Sequence, residues 1–283
     1  MDLKEVRYEA PLTQFLFEKA SAARIPLSGT FELSQACNFN CRMCYVRKTE
    51  REIAACSRPG MTLSRWLEIA GEARDAGMLY LLLTGGEPFL WPDFWELYEQ
   101  LARMGFLISI NSNGPLLDRA AVARLAKNPP TRINITLYGA SDATYSALCR
   151  APGTFFRVDD AIEALKAAGM LVKLNGSLTP YNAGDLEAMN RYAEERGLIL
   201  EVNTYMFPPI RRDPSMVGRN ERFTPEEAAQ YHMKRYRIQY GVERYKSFLE
   251  NVVKRILPPA GVGRSLRWHS LRRCRLLAIH TSN

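Results

Sequence analysis

Met78-Leu79-Tyr80-Leu81-Leu82-Leu83 is an unbroken apolar run that stops at Gly85-Gly86. A short run of this kind, closed by glycine, predicts a strand buried on both faces, as in a parallel sheet. Just upstream, Thr62-Leu63-Ser64-Arg65-Trp66 opens a helical pattern, with Thr62 as N-cap and Gly77 as stop. Downstream, helical spacing from Pro92 to Met104 leads into the strand Phe106-Leu107-Ile108-Ser109-Ile110. The alternation continues outward. Thr30 to Ser34 reads as a first strand, and residues 118–127 as a helix before the strand Ile133 to Leu137. A helix over 156–168, stopped by Gly169, precedes the strand Leu171 to Leu174, and a helix over 184–196, stopped by Gly197, precedes the strand Leu198 to Tyr205. Such strand-then-helix units with short turns predict an α/β fold with a parallel sheet. Periodicity alone leaves an open doubly wound sheet and a partial barrel both standing. In either, function sits at the carboxyl ends of the strands. Cys37, Gly85 to Pro88, Asn111 to Gly114 and Tyr138-Gly139 all fall there.

Composition narrows the class. The chain has 283 residues, 47% apolar and 24% charged, with ordinary glycine and proline usage, which excludes disordered and collagen-like readings. No apolar stretch reaches the ~18 residues of a membrane span, and Met1-Asp2-Leu3-Lys4-Glu5 starts no signal peptide. The expected location is the cytoplasm, with no membrane partner. The net charge of +8 is concentrated at the end. Residues 261–283 carry Arg264, Arg267, Arg272, Arg273 and Arg275 and no acid, so the body is nearly balanced and a nucleic-acid partner is not expected.

Cys37-Asn38-Phe39-Asn40-Cys41-Arg42-Met43-Cys44 places three of the six cysteines within eight positions. In a reducing compartment such a cluster points to metal rather than to disulfides. A structural zinc site would want a fourth ligand at comparable spacing, whereas Cys56 is twelve residues on and the histidines are His232, His269 and His280. Three thiolates suit a four-iron cluster that leaves one iron open to a small molecule. Zinc, or incidental clustering, is the competing reading. Cys56 and Cys149 read as loop or core thiols without partners, and Arg42 as a solvated loop charge.

This run, following a first strand, resembles the cysteine motif of the radical S-adenosylmethionine (SAM) superfamily, and the likeness extends over about residues 30–206. The resemblance implies a partial (β/α)6 TIM-like barrel with parallel strands, a short N-terminal helix and a helical C-terminal segment. It implies a [4Fe-4S] cluster on Cys37, Cys41 and Cys44, with S-adenosyl-L-methionine as second cofactor. Thr84-Gly85-Gly86-Glu87-Pro88 is similar to the motif that receives the methionine amino end, which assigns Gly85, Gly86 and Glu87 to cofactor binding. Ser112-Asn113-Gly114 is similar to the polar turn after the third strand. Thr136 takes the place of a polar residue that reaches the cofactor, and Met43 the place of an aromatic near the adenine. Bare turn and core readings stand beside the functional ones for Ser112, Asn113 and Thr136.

The implied chemistry is reductive cleavage of SAM to a 5′-deoxyadenosyl radical, which abstracts hydrogen from a substrate. No catalytic side chain beyond the cofactor contacts can be named. The segment from Leu137 to Ser141 and on to Gly153-Thr154-Phe155 resembles the SPASM/twitch group, which implies a peptide or protein side chain as substrate. A tetrapyrrole or other small metabolite is the alternative, and a non-catalytic metal-binding remnant the third. An electron donor, a reductase or a flavodoxin- or ferredoxin-type protein, is implied as partner. The expected organisation is a helical lead-in over 1–29, the core over 30–206, a linker and C-terminal helix over 207–260 opened by Thr224-Pro225-Glu226-Glu227, and a basic tail over 261–283. Cys274 stands where relatives begin a cysteine-rich extension, so the tail reads as a truncated or frame-shifted one.

Overall fold

The computed structural model describes residues 11–56, 60–205 and 222–256. The basic tail, Cys274 and the linker over 206–221 lie outside them. Two compact units are present, divided between Arg222 and Phe223.

The first unit carries the sheet. After α1 (Pro11–Ala22), six strands follow: β1 (Ser28–Glu32), β2 (Tyr80–Thr84), β3 (Leu107–Ser112), β4 (Arg132–Thr136), β5 (Val172–Ser177) and β6 (Ile199–Asn203). They lie in sequential order and every neighbouring pair is parallel. A doubly wound sheet reverses its strand order at a switch point, and this one never does. The sequential order therefore selects the barrel-type arrangement over the open alternative.

Between the strands stand α2 (Glu50–Ala54), α3 (Leu63–Asp75), α4 (Phe94–Arg103), α5 (Arg119–Ala126), the single turn α6 (Asp142–Thr144), α7 (Phe155–Ala167) and α8 (Leu186–Glu195). Their inner faces follow helical spacing. Phe94, Leu97, Tyr98 and Leu101 of α4 are buried, as are Val158, Ala161, Ile162 and Leu165 of α7. Both sets sit at i, i+3, i+4 and i+7, the stripe a helix turns toward a sheet. On α8 the same stripe includes Asn190, whose side-chain amide donates to the Leu186 carbonyl at 2.7 Å and so is not left unpaired. Helix starts are capped: Thr62, the N-cap the sequence suggests, accepts from Arg65 N–H, and Asp118 accepts from Ala121 N–H. Gly77, Gly169 and Gly197 close helices with positive φ, where a Cβ would be strained.

The sheet has an unusual division of faces. Ile133 and Ile135, and Val172 and Leu174, pack outward under the helices. The intervening residues Arg132, Asn134 and Thr136, and Lys173, Asn175 and Ser177, point into the lumen. Side chains alternate across a strand, so a polar lumen and an apolar outer face use the same period of two.

The second unit is built on α9 (Pro225–Ile256), which departs from helical geometry at Gly241, φ 78 and ψ 169. Its start is a capping box, with Glu227 N–H donating to Thr224 Oγ1 at 3.2 Å and Thr224 N–H to the Glu227 carboxylate at 2.9 Å. Among the described residues no helix is long and apolar enough to cross a membrane.

Candidate cluster and cofactor site

The loop after β1 owes its course to β2. Strand pairing continues past both strands: Leu33 N–H donates to Thr84 O, Gly86 N–H to Ser34 O at 2.7 Å, and Glu87 N–H to Ala36 O at 2.8 Å. The two backbones touch. A Cβ on Gly86 would sit 2.1 Å from Ala36 O, and one on Gly85, whose φ is +134°, would sit 2.5 Å from Ser34 O. Glycine is required here so that the cysteine loop can lie directly on the turn after β2.

Cys37 follows at once, and the loop then folds down onto the segment after β4. Phe39 is buried edge-on against Tyr138 and Tyr145, with ring centroids 6.0 and 6.1 Å away. Asn40 N–H donates to Cys149 O and Arg42 N–H to Leu148 O, both at 3.0 Å, which straps the loop on either side of Cys41. The Arg42 guanidinium also donates to Ala147 O at 2.8 Å and stacks 4.6 Å over the Tyr181 ring. Arg42 is thus a clamp on the loop, not the solvated charge expected of it. The segment it grips contains a π-helical turn, Tyr145–Cys149, ending at Arg150 with φ 52.

The three thiols are half-buried and line one cavity of about 530 Å³ at the carboxyl edge of the sheet. Met43, Gly85, Gly86, Ser112, Asn113 and Thr136 line the same cavity. Nine of the ten candidate site residues are therefore brought together. Glu87 is the exception. It is fully buried behind the wall, where its carboxylate accepts from Ser112 Oγ at 3.0 Å, Asn113 N–H at 2.8 Å and Phe89 N–H at 3.4 Å. It braces the two turns that form the wall and offers no oxygen to the cavity. Asn113 in turn donates from Nδ2 to Asn38 Oδ1 at 2.8 Å and to Cys37 Sγ at 3.5 Å, which ties the third turn to the cysteine loop.

Charge and solvation differ from thiol to thiol. Burial, with the Glu87 charge adding to it, pushes Cys37 up to about 12, although the Phe39 N–H partly offsets this. Cys41 goes the other way, lowered first by the hydrogen bond from the Cys149 thiol and further by that from the Tyr138 hydroxyl. Cys149 itself is fully buried, and burial holds its thiol strongly protonated. Its carbonyl accepts from Asn40 N–H at 3.0 Å, which sets it against the cysteine loop. Cys56 is exposed.

Further lumen residues lie outside the sequence motifs. Arg132, Asn134, Lys173, Glu201 and Asn203 line the same cavity as the thiols, with Lys173 and Glu201 paired across β5 and β6. The signal was present as alternation, in Arg132-Ile133-Asn134-Ile135-Thr136 and in Lys173-Leu174-Asn175.

Two predictions arise from Glu87. Glu87→Ala leaves the buried Asn113 N–H and Ser112 hydroxyl without their acceptor and should cost about 2–5 kcal/mol in urea unfolding. Burial also raises the carboxyl from its ordinary 4.5 to about 7. The folded chain then keeps a proton that the unfolded chain has released. In the iron-free protein the resulting stability is full below pH 4.5 and is lost as pH rises through 7. Glu87→Gln should flatten that slope, and an unchanged slope would place the titration elsewhere.

Three thiols beside two tight turns, over a polar lumen at the carboxyl edge of a sequential parallel sheet, give an α/β protein a donor set that suits a thiolate-bound cluster with a small molecule against it. Residues 31–193 match the Radical SAM superfamily, and the chain belongs to that superfamily. The mycofactocin maturase MftC of Mycobacterium ulcerans is 30% identical over 179 residues, covering 62% of this chain and 47% of that protein. The AdoMet-dependent heme synthase of Methanosarcina barkeri is 27% identical over 185 residues, covering 65% and 52%. The chain spans about half the length of these relatives. Streptococcus suis SuiB shares the fold: its complex with the precursor peptide SuiA superposes with a TM-score of 0.60 at 16% identity, over 86% of this chain and 50% of SuiB. Its complex with S-adenosylmethionine gives 0.61 at 17% identity, over 88% and 54%.

The superfamily uses a [4Fe-4S] cluster and S-adenosylmethionine. The residues present fit both groups. Nowhere among the described residues do three His, Cys, Asp or Glu side chains converge as a single metal ion requires, whereas a four-iron cluster takes each thiolate on a separate iron over a wider footprint. Asn113 Oδ1 is buried with no hydrogen-bond partner, which leaves an acceptor beside the thiols for a ligand N–H.

Proposed function

We propose that the chain uses Cys37, Cys41 and Cys44 to hold the cluster and cleaves S-adenosylmethionine reductively to abstract hydrogen from a peptide or protein side chain. The observation that carries this reading is the convergence of the three thiols with the turns 85–86 and 112–113 on one cavity. When bound, the reduced cluster would supply an electron to S-adenosylmethionine, and that cofactor the 5′-deoxyadenosyl group that takes the hydrogen. The protein's own part is positional. Gly85 and Gly86 let the wall approach closely, Asn113 offers its free acceptor, and Met43, itself buried, contributes apolar surface. Thr136 lines the same cavity and offers a polar contact. The lumen below, with Asn111, Asn134 and Asn175, offers a substrate side chain hydrogen bonds away from bulk water. A reductase, or a flavodoxin- or ferredoxin-type protein, would deliver the electron.

The likeness to MftC, the fold shared with peptide-bound SuiB, and the SPASM-like segment favour a peptide. The likeness to the heme synthase keeps a tetrapyrrole as the second reading. The two are separated by deuterium. Reduced, cluster-loaded protein is incubated with SAM and either deuterated peptides or a deuterated porphyrinogen. Deuterium appearing in 5′-deoxyadenosine only with peptide supports the reading; transfer only from the porphyrinogen overturns it.

A further inference from the structure

The lumen carries two cations, and the fold treats them differently. Lys173 meets Glu201 across β5 and β6, and Glu201 is the sole carboxylate among the described residues lining the cavity. Arg132 has no such partner. No carboxylate among the described residues pairs with it, and its Nε is buried without an acceptor. Taking a guanidinium N–H out of water without an acceptor is unfavourable, and buried arginines are ordinarily paired. Arg196 is an example, with Asp159 at 2.9 Å.

A second unmet group stands beside Arg132. Asn134 is 5% exposed and lines the same cavity. Its Nδ2 donates to Asn111 Oδ1 at 2.7 Å, which orients the amide and leaves Asn134 Oδ1 buried with no partner. Arg132 and Asn134 are alternate residues of β4, so their side chains leave one face of the strand roughly 7 Å apart. A cationic donor and a neutral acceptor are thus close enough for one peptide residue to reach both. Its backbone N–H would meet the Asn134 oxygen, and a side-chain carboxylate the guanidinium. Leu82, level with Arg132 through Ser109, adds apolar surface for the methylenes between them. Arg132 begins β4 and Thr136 ends it, so the two groups lie toward the amino end of the strand, away from the cofactor turns.

From this arrangement we propose that Arg132, with Asn134, makes the lumen selective for a peptide with an acidic side chain, aspartate or glutamate, whose carboxylate the guanidinium receives. This rests on the reading of the cavity as the site of a peptide substrate. An arginine fork matches a carboxylate in shape as well as in charge, so the contact discriminates against the neutral amide of the same size. The propionates of a tetrapyrrole carry the same group, and the test separates the two sources.

The test is equilibrium binding to the iron-loaded chain with SAM, read by saturation-transfer nuclear magnetic resonance, so that no turnover is needed. The probes are a capped pentapeptide with a central glutamate between glycine pairs, its glutamine counterpart, and coproporphyrin. The glutamate peptide should bind about tenfold more tightly than the glutamine peptide. Arg132→Gln should bring that ratio close to one by weakening the glutamate peptide alone, and Arg132→Lys should keep part of it. Arg132→Glu should reverse the preference. Equal binding of the two peptides by the wild-type chain, or none of the glutamate peptide, would overturn the proposal and leave the guanidinium to water. Equal weakening of both peptides in Arg132→Gln would also overturn it, by making Arg132 a support of the lumen wall. Binding that depends on Arg132 for coproporphyrin alone would overturn the peptide source. A chain that discriminates the peptides yet yields no 5′-deoxyadenosine would overturn the cleavage reading and leave this selectivity standing.

Discussion

Replacing Cys37, Cys41 and Cys44 together by Ala is expected to take bound iron after anaerobic reconstitution from about four atoms per chain to none. Cys56→Ala and Cys149→Ala are expected to retain it. The contrast follows from placement. The three thiols share one loop and one cavity wall, whereas Cys56 is exposed and Cys149 lies behind Cys41, buried by the π-helical turn. Single replacements within the triad leave two thiolates, too few for a site that already reserves one iron for an outside ligand, so each should lose most of its iron. Iron binding must also displace the proton that burial holds on Cys37. Loading should therefore be faster at higher pH in the wild-type chain. Iron analysis and the visible absorption of the cluster read both effects. Retention of iron by the triple variant would remove the cluster from this loop.

The second large effect is expected at Gly86. A methyl group there would stand 2.1 Å from Ala36 O and 2.7 Å from Ala36 C, and neither atom is the end of a flexible side chain. One of the two loops must move. The movement breaks the hydrogen bonds Gly86 N–H to Ser34 O and Glu87 N–H to Ala36 O, which carry strand pairing up to Cys37. Gly86→Ala should cost about 3 kcal/mol in urea unfolding and reduce iron loading as well, because the loop that presents the thiols is displaced. Gly71→Ala is the control. Nothing lies within 4 Å of a Cβ there, and the position is inside α3, so the change should stabilise by about 0.5–1 kcal/mol. Equal behaviour of the two variants would mean that the contact between the loops does not hold the site.

Much of the framework was legible because apolar runs and caps are local signals. The strand at Met78–Leu83 and the capped helices after Thr62 and Asp118 were found within two residues or so of their positions. The sequence places the first strand late, over Thr30–Ser34 instead of Ser28–Glu32: Leu33 still bonds to Thr84 and Ser34 to Gly86 after regular structure ends. Helix α2 was missed although Thr49 and Glu52 form a capping box, the one local sign of so short a helix. What the sequence could not show is which face of a strand looks where. Alternation in Arg132 to Thr136 reads the same whether the polar set meets solvent or a lumen, and only the sequential strand order decides it.

The site divides along similar lines. The thiols and the two turns declare themselves by spacing and glycine content. Glu87 was assigned to the cofactor because a carboxylate suits an ammonium, yet three donors behind the wall already claim it. Cys149 lies 108 positions beyond Cys41 in the chain, and no spacing rule links them. The link is tertiary, made by backbone bonds from Asn40 and Arg42.

The most direct test of the whole account is chromatography for 5′-deoxyadenosine after cluster-loaded protein is incubated anaerobically with dithionite and S-adenosylmethionine. The account predicts the product in the wild-type chain and none in the variant lacking Cys37, Cys41 and Cys44. A wild-type chain carrying a full cluster that yields no 5′-deoxyadenosine would contradict it.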